Sequence, residues 1–240
     1  MQKKKKRQEK KNMEKIEFKL LGKKKLEDKS KEGLKDLQFP EVFSTSFFML
    51  LIGKPGSGKS TLIEELLLNP QFLNEQFDKL LIFSPYPFKN IECEKELNYF
   101  NEMNIAIIFQ CIQKINERKN LEVYINLLII FDDFISEIRK EAYIPSFTSL
   151  FYNRRHLIKN GCISIIMTSQ KFTVTPPQIR PCINALILFQ LNQSEYSSIR
   201  KDVCSWIDLK NLPNLLKNNY DFLYINVDNG NTYLNLKIKV

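Results

Sequence analysis

A chain of 240 residues, 43% of them hydrophobic, has the size of one α/β domain and enough apolar surface to bury a core, so full-length disorder is excluded. Five scattered cysteines without a Cys-x-x-Cys pair argue against a zinc ribbon or a disulfide scaffold and for a reducing, intracellular setting; a single histidine, His156, argues against multi-histidine metal sites and Ser-His-Asp chemistry. No apolar run reaches the roughly 18 residues of a membrane span, and the net charge of +9 sits almost wholly in residues 1–38, which hold 15 Lys+Arg against 7 Asp+Glu.

That first segment opens on Lys3-Lys4-Lys5-Lys6-Arg7 and carries few apolar residues. The pattern fits a solvated, disordered tail, and equally an import signal or a nucleic-acid contact. Residues 39–240 form the globular domain. The apolar run 47–52 reads as a buried strand, and 60–68 as a helix, with Leu62/Leu66 and Ile63/Leu67 at helical spacing and Pro70 beyond its end. Residues 79–84, 105–109, 127–131, 163–168 and 185–191 are further short apolar runs. Near-continuous runs of this length suit central parallel strands covered on both faces.

Residues 146–159 read as a helix with Phe147, Leu150, Phe151, Leu157 and Ile158 on its apolar stripe and Gly161 at its C-terminal stop. Residues 194–206 also read as helical. Segments 222–227 and 232–240 flank Asp228-Asn229-Gly230, a turn signal that predicts a C-terminal β-hairpin with an alternating, half-buried final strand.

Gly53-Lys54-Pro55-Gly56-Ser57-Gly58-Lys59-Ser60 matches the phosphate-loop pattern G-x-x-x-x-G-K-[ST], between a predicted strand and a predicted helix. Glycines let backbone N–H groups turn inward around phosphate oxygens, and the helix N-terminus adds positive potential. This is a nucleoside-triphosphate site. Lys59 is expected at the β- and γ-phosphates, the Ser60 hydroxyl on Mg²⁺, and Thr61 in support. The strand 127–131 ends in Asp132-Asp133, the Walker B arrangement: Asp132 is expected to hold Mg²⁺ through water and Asp133 to polarise the attacking water. The strand 163–168 runs into Gln170, a polar amide placed to sense the γ-phosphate and hold that water. Arg154 falls within the apolar stripe of the preceding helix and Arg155 on its flank. One of them is the candidate arginine finger for a neighbouring subunit, with Arg180 as competitor. Because that helix feeds into the strand carrying Gln170, its end is expected near the catalytic edge of the sheet.

Together these residues resemble the FtsK–HerA superfamily of P-loop motor ATPases. Within it they resemble the poxvirus-type genome-packaging ATPases of large DNA viruses, virophages and Maverick/Polinton elements. The resemblance rests on residues 49–60, on Ile129-Ile130-Phe131-Asp132-Asp133-Phe134, and on the passage from Arg154-Arg155 through Gly161 to Thr168 and Gln170. It covers roughly residues 40–225. Asp133 stands where many relatives place glutamate. The resemblance implies a three-layer ASCE/RecA-like α/β core with strand order 5-1-4-3-2, ATP and Mg²⁺ as cofactors, and a homo-oligomeric ring. It also implies that the ring pulls double-stranded DNA into a capsid built of other proteins, with no membrane involved. A nucleoside or nucleotide kinase is the alternative, although only Arg200 follows Arg180 where such kinases carry an arginine-rich lid. A nucleotide-switch binding module is a further alternative, and Gln170 beside Asp133 argues against it.

Overall fold

Strands built of uninterrupted apolar residues need cover on both faces, and that requirement sets the architecture. The computed structural model of the chain describes residues 46–69, 72–73, 76–88, 99–118, 122–209, 212–236 and 238–239. The basic segment 1–38 and the boundary at residue 39 lie outside them. The strands are β1 (Phe48–Ile52), β2 (Lys79–Phe83), β3 (Tyr99–Phe100), β4 (Ile125–Phe131), β5 (Gly161–Ser169), β6 (Ala185–Leu188), β7 (Leu223–Asn226), β8 (Thr232–Leu234) and β9 (Ile238–Lys239). The helices are α1 (Lys59–Leu68), α2 (Ile105–Asn116), α3 (Ile135–Glu141), α4 (Pro145–Tyr152), α5 (Gln193–Asp202) and α6 (Leu212–Leu215).

Among the described residues these strands make one sheet in the order β3-β2-β4-β5-β1-β6-β7-β8-β9. The first six pair in parallel and the last three are antiparallel. Its centre, β6-β1-β5-β4-β2, is the order 5-1-4-3-2 that the resemblance implied. Alternate side chains of β1 serve the two faces. Phe48, Leu50 and Ile52 join a core closed by α2, α3, α4 and α5, whereas Phe47, Met49 and Leu51 join one closed by α1. The result is three layers. No described helix is long and apolar enough to cross a membrane.

Four sequence expectations are corrected. Residues 105–109 lie in a helix, α2, and not in a strand. Asn104 caps it by accepting a hydrogen bond from the Ala106 N–H (3.0 Å), and Ile108, Cys111, Ile112 and Ile115 bury one face at helical spacing. The predicted helix 146–159 stops at Tyr152. Beyond it, distant side chains take the backbone groups that a helix would pair internally. Asn116 bonds Leu157 O (2.9 Å) and Lys159 N (2.7 Å), while Arg118 donates to Lys159 O and Asn160 O (3.1 Å each).

Gly161 therefore caps no helix. It opens β5, where an added Cβ would collide with Ile125 O and the Ile158 side chain. Gly161→Ala is expected to cost about 1–3 kcal/mol of folding stability, the usual scale of overpacking. Chemical denaturation checks this, and an unchanged midpoint would mean the β4–β5 pairing gives way freely. Finally, the single strand predicted over 232–240 breaks after β8, where Asn235 and Leu236 turn left-handed (φ 51° and 54°). Asn235 is tied to Phe222 N through its side-chain oxygen (2.8 Å) and to Asp221 through its amide (2.9 Å), so β9 folds back onto β8.

Candidate active site

The glycine-rich loop 53–60, Asp132-Asp133 and Gln170 all lie at the C-terminal edge of the parallel strands. β1 runs into the phosphate loop, where Gly53 N–H donates to Ser169 O at the end of β5 (3.1 Å). Gly56 and Gly58 adopt φ of 75° and 90°, conformations that cost a side-chain-bearing residue, and α1 starts directly after them. No side chain caps α1 and no acidic residue lies in its first turn, so its N–H groups are left for an anion. Ser57 Oγ is buried without a hydrogen-bond partner, and the space above Gly56 is open for 4 Å around. An uncapped helix end, an orphaned hydroxyl and open space beside Gly56 fit a polyphosphate.

Lys59 bends back over the loop, its Nζ donating to Gly53 O (2.8 Å) and Lys54 O (3.0 Å). Burial holds its ammonium below the usual lysine value, against the opposing charges of Asp132 and Asp133. The structure thus brings together Lys59 and both carboxylates. Asp132, at the end of β4, is buried. Ser60 Oγ donates to its Oδ2 (2.9 Å) and Thr168 Oγ1 to its Oδ1 (2.9 Å), while its own N–H donates to Phe83 O (2.8 Å). Burial raises its pKa, and the two hydroxyl hydrogen bonds act in the opposite sense. A serine hydroxyl and one carboxylate, both hard oxygens, fit Mg²⁺, which takes few protein ligands and fills the rest with water and phosphate. Asp133 turns left-handed (φ 58°), its N–H donating to Thr168 Oγ1 (2.9 Å), and its side chain is exposed where that of Asp132 is buried. Gln170 follows β5 at the same edge and is exposed.

Thr168 went unassigned in the sequence reading, yet its hydroxyl links the two acids. Ser84, at the end of β2, is a second such residue, with Oγ 3.5 Å from Asp132 Oδ2. A hydroxyl residue at the tip of each neighbouring strand was the available signal. Thr168→Val removes the donor to Asp132 and strands the Asp133 N–H. We expect turnover to fall by about 10–100-fold, as for outer-shell partners generally, with a raised Mg²⁺ requirement. Turnover titrated against Mg²⁺ would show it, and wild-type values would remove Thr168 from the site.

Arg154 and Arg155 lie elsewhere, which corrects the expectation that they sit near the catalytic edge. Ile163 N–H donates to Arg154 O (2.9 Å), so Arg154 lies beside the start of β5, about 20 Å along the strand from Ser169. Arg154 is buried, with Nη1 donating to Phe151 O (2.8 Å) and Nε unpartnered, whereas Arg155 and His156 are exposed. With Tyr152, Cys182 and Asp228 they line a cavity of about 350 Å³ at this opposite edge. Arg180 is engaged within its own subunit. It pairs with Asp202 (2.7 Å), donates to Thr173 O (3.0 Å) and Thr175 O (2.9 Å), and stacks over Phe172 (4.7 Å).

Among solved structures, the chain is similar to the genome packaging NTPase B204 from Sulfolobus turreted icosahedral virus 2 in complex with ATP-gammaS. The TM-score is 0.61 at 14% identity, over 80% of this chain and 97% of that one. It is also similar to B204, the DNA-packaging ATPase from Sulfolobus turreted icosahedral virus (TM-score 0.57, 15% identity, 78% and 96% covered). The pCW3 conjugation coupling protein TcpA, with ATPgS, matches at TM-score 0.54 and 16% identity, over 79% of this chain and 59% of that one. The chain shares the fold of these proteins. No protein-family model and no curated protein matches the chain.

Proposed function

We propose that this chain is an ATP-hydrolysing motor that translocates double-stranded DNA and packages a viral genome into a capsid, acting as a homo-oligomeric ring within the infected cell. The observation that carries this reading is the likeness in fold to a genome packaging NTPase over 97% of that protein's length. In this reading residues 53–61 cradle the triphosphate, and Lys59 neutralises its terminal phosphates. Ser60 and Asp132 would hold Mg²⁺, which would supply charge neutralisation at the phosphates. Asp133 orients the attacking water and accepts its proton, and Gln170 holds that water at the tip of β5. Arg155 serves the nucleotide of the adjoining subunit.

Steady-state phosphate release with and without double-stranded DNA tests the proposal, alongside native mass measurement. Turnover should rise several-fold on adding DNA, remain unmoved by nucleosides, and accompany an assembled ring. Transfer of phosphate to an added nucleoside would make the chain a kinase instead. Turnover indifferent to DNA would end the motor reading.

A further inference from the structure

We propose that Tyr220 is the stacking platform for the base of the bound nucleotide. This inference rests on the nucleotide-binding reading above and assigns its nucleoside end. Tyr220 is 70% exposed. It is nevertheless set against the phosphate loop: a Cβ built on Gly58 would lie 3.2 Å from Tyr220 Cδ1 and 3.8 Å from Cε1. Topology explains the meeting. β7 pairs with β6 and β6 with β1, so the turn before Leu223 sits beside Leu188 at the edge where β1 enters the loop.

Asp132, just after β4, and Thr168, near the end of β5, lie on the other side of β1. A triphosphate whose terminal phosphates meet Lys59 and Asp132 therefore points its nucleoside away from β4, over Gly58 and toward Tyr220. The ring is presented on a fixed turn. Asp221 accepts from Asn218 N (2.9 Å), Asn218 Nδ2 (3.1 Å) and Asn235 Nδ2 (2.9 Å). Phe222, two residues after Tyr220, packs against Phe189 with ring centroids 5.6 Å apart. A rigid turn offering an exposed aromatic face beside a phosphate cradle matches a planar heterocycle, and such stacking tolerates any base.

The test compares ATP with inorganic tripolyphosphate, which keeps the phosphates and lacks the base, by calorimetric titration of the full chain in Mg²⁺. Tyr220→Ala should weaken ATP on the order of tenfold and leave tripolyphosphate unchanged, while Tyr220→Phe should retain ATP affinity. Unchanged ATP affinity in Tyr220→Ala would overturn the proposal. So would an equal loss for both ligands, because the ring would then merely prop Gly58. A wild-type chain that binds neither ligand would instead overturn the nucleotide reading itself, and this assignment with it.

Discussion

Lys59→Ala is expected to abolish ATP hydrolysis and to weaken nucleotide binding while leaving the fold intact. Its ammonium sits over the loop with two loop carbonyls as its hydrogen-bond partners, at Gly53 O and Lys54 O. Truncation removes these two hydrogen bonds, worth about 1 kcal/mol each, so the cost to folding is modest. The cost to catalysis is large. A single charged donor aimed at the transferring phosphoryl group contributes at least on the order of 10²–10³ in rate. Phosphate release and binding of a fluorescent nucleotide would be measured together, with the thermal midpoint as control. Turnover within a few-fold of wild type would remove Lys59 from the chemistry.

The second large effect concerns Arg155. It follows Arg154 beside the start of β5, at the edge of the sheet opposite the phosphate loop, so any action on a phosphate must occur across a subunit contact. Arg154 is the poorer candidate because it is buried and bonded to Phe151 O (2.8 Å). Arg155→Ala is expected to lower turnover by about 10³–10⁵, the range for an arginine finger, with nucleotide binding retained. Mixing Arg155→Ala with Lys59→Ala subunits should restore part of the activity, since one supplies an intact loop and the other an intact arginine. Turnover linear in protein concentration, with no recovery on mixing, would refute action in trans.

The legible and illegible parts of this molecule divide by sequence distance. The phosphate loop and α1 could be read because glycine spacing and helix periodicity are local, and the parallel core because β1, β4 and β5 are apolar on both faces. The acids at the end of β4 announced themselves in the same way. The stop of α4 at Tyr152 did not, because the groups that compete with the helix come from Asn116 and Arg118, some forty positions away. The apolar stripe continued through Leu157 and Ile158 because both still pack on the core without being helical. In 105–109 the error was one of window. Five residues cannot separate a strand from a helix, whereas Cys111, Ile112 and Ile115 extend the helical spacing. Thr168 was visible as a residue type, but its position between two carboxylates is a property of the β4–β5 register. Tyr220 meets Gly58 only through the pairings β1–β6 and β6–β7.

Among the described residues the sheet ends on β3, Tyr99–Phe100, at one margin and on β9, Ile238–Lys239, at the other. Two described residues at each margin expose hardly any unpaired N–H and C=O groups. Backbone ladders are therefore a poor adhesive for this protein. Copies that associate must do so through side chains and loops, whose contacts can break and re-form without unzipping the core. The same blunt margins protect a chain rich in apolar strands from edge-to-edge aggregation at high local concentration.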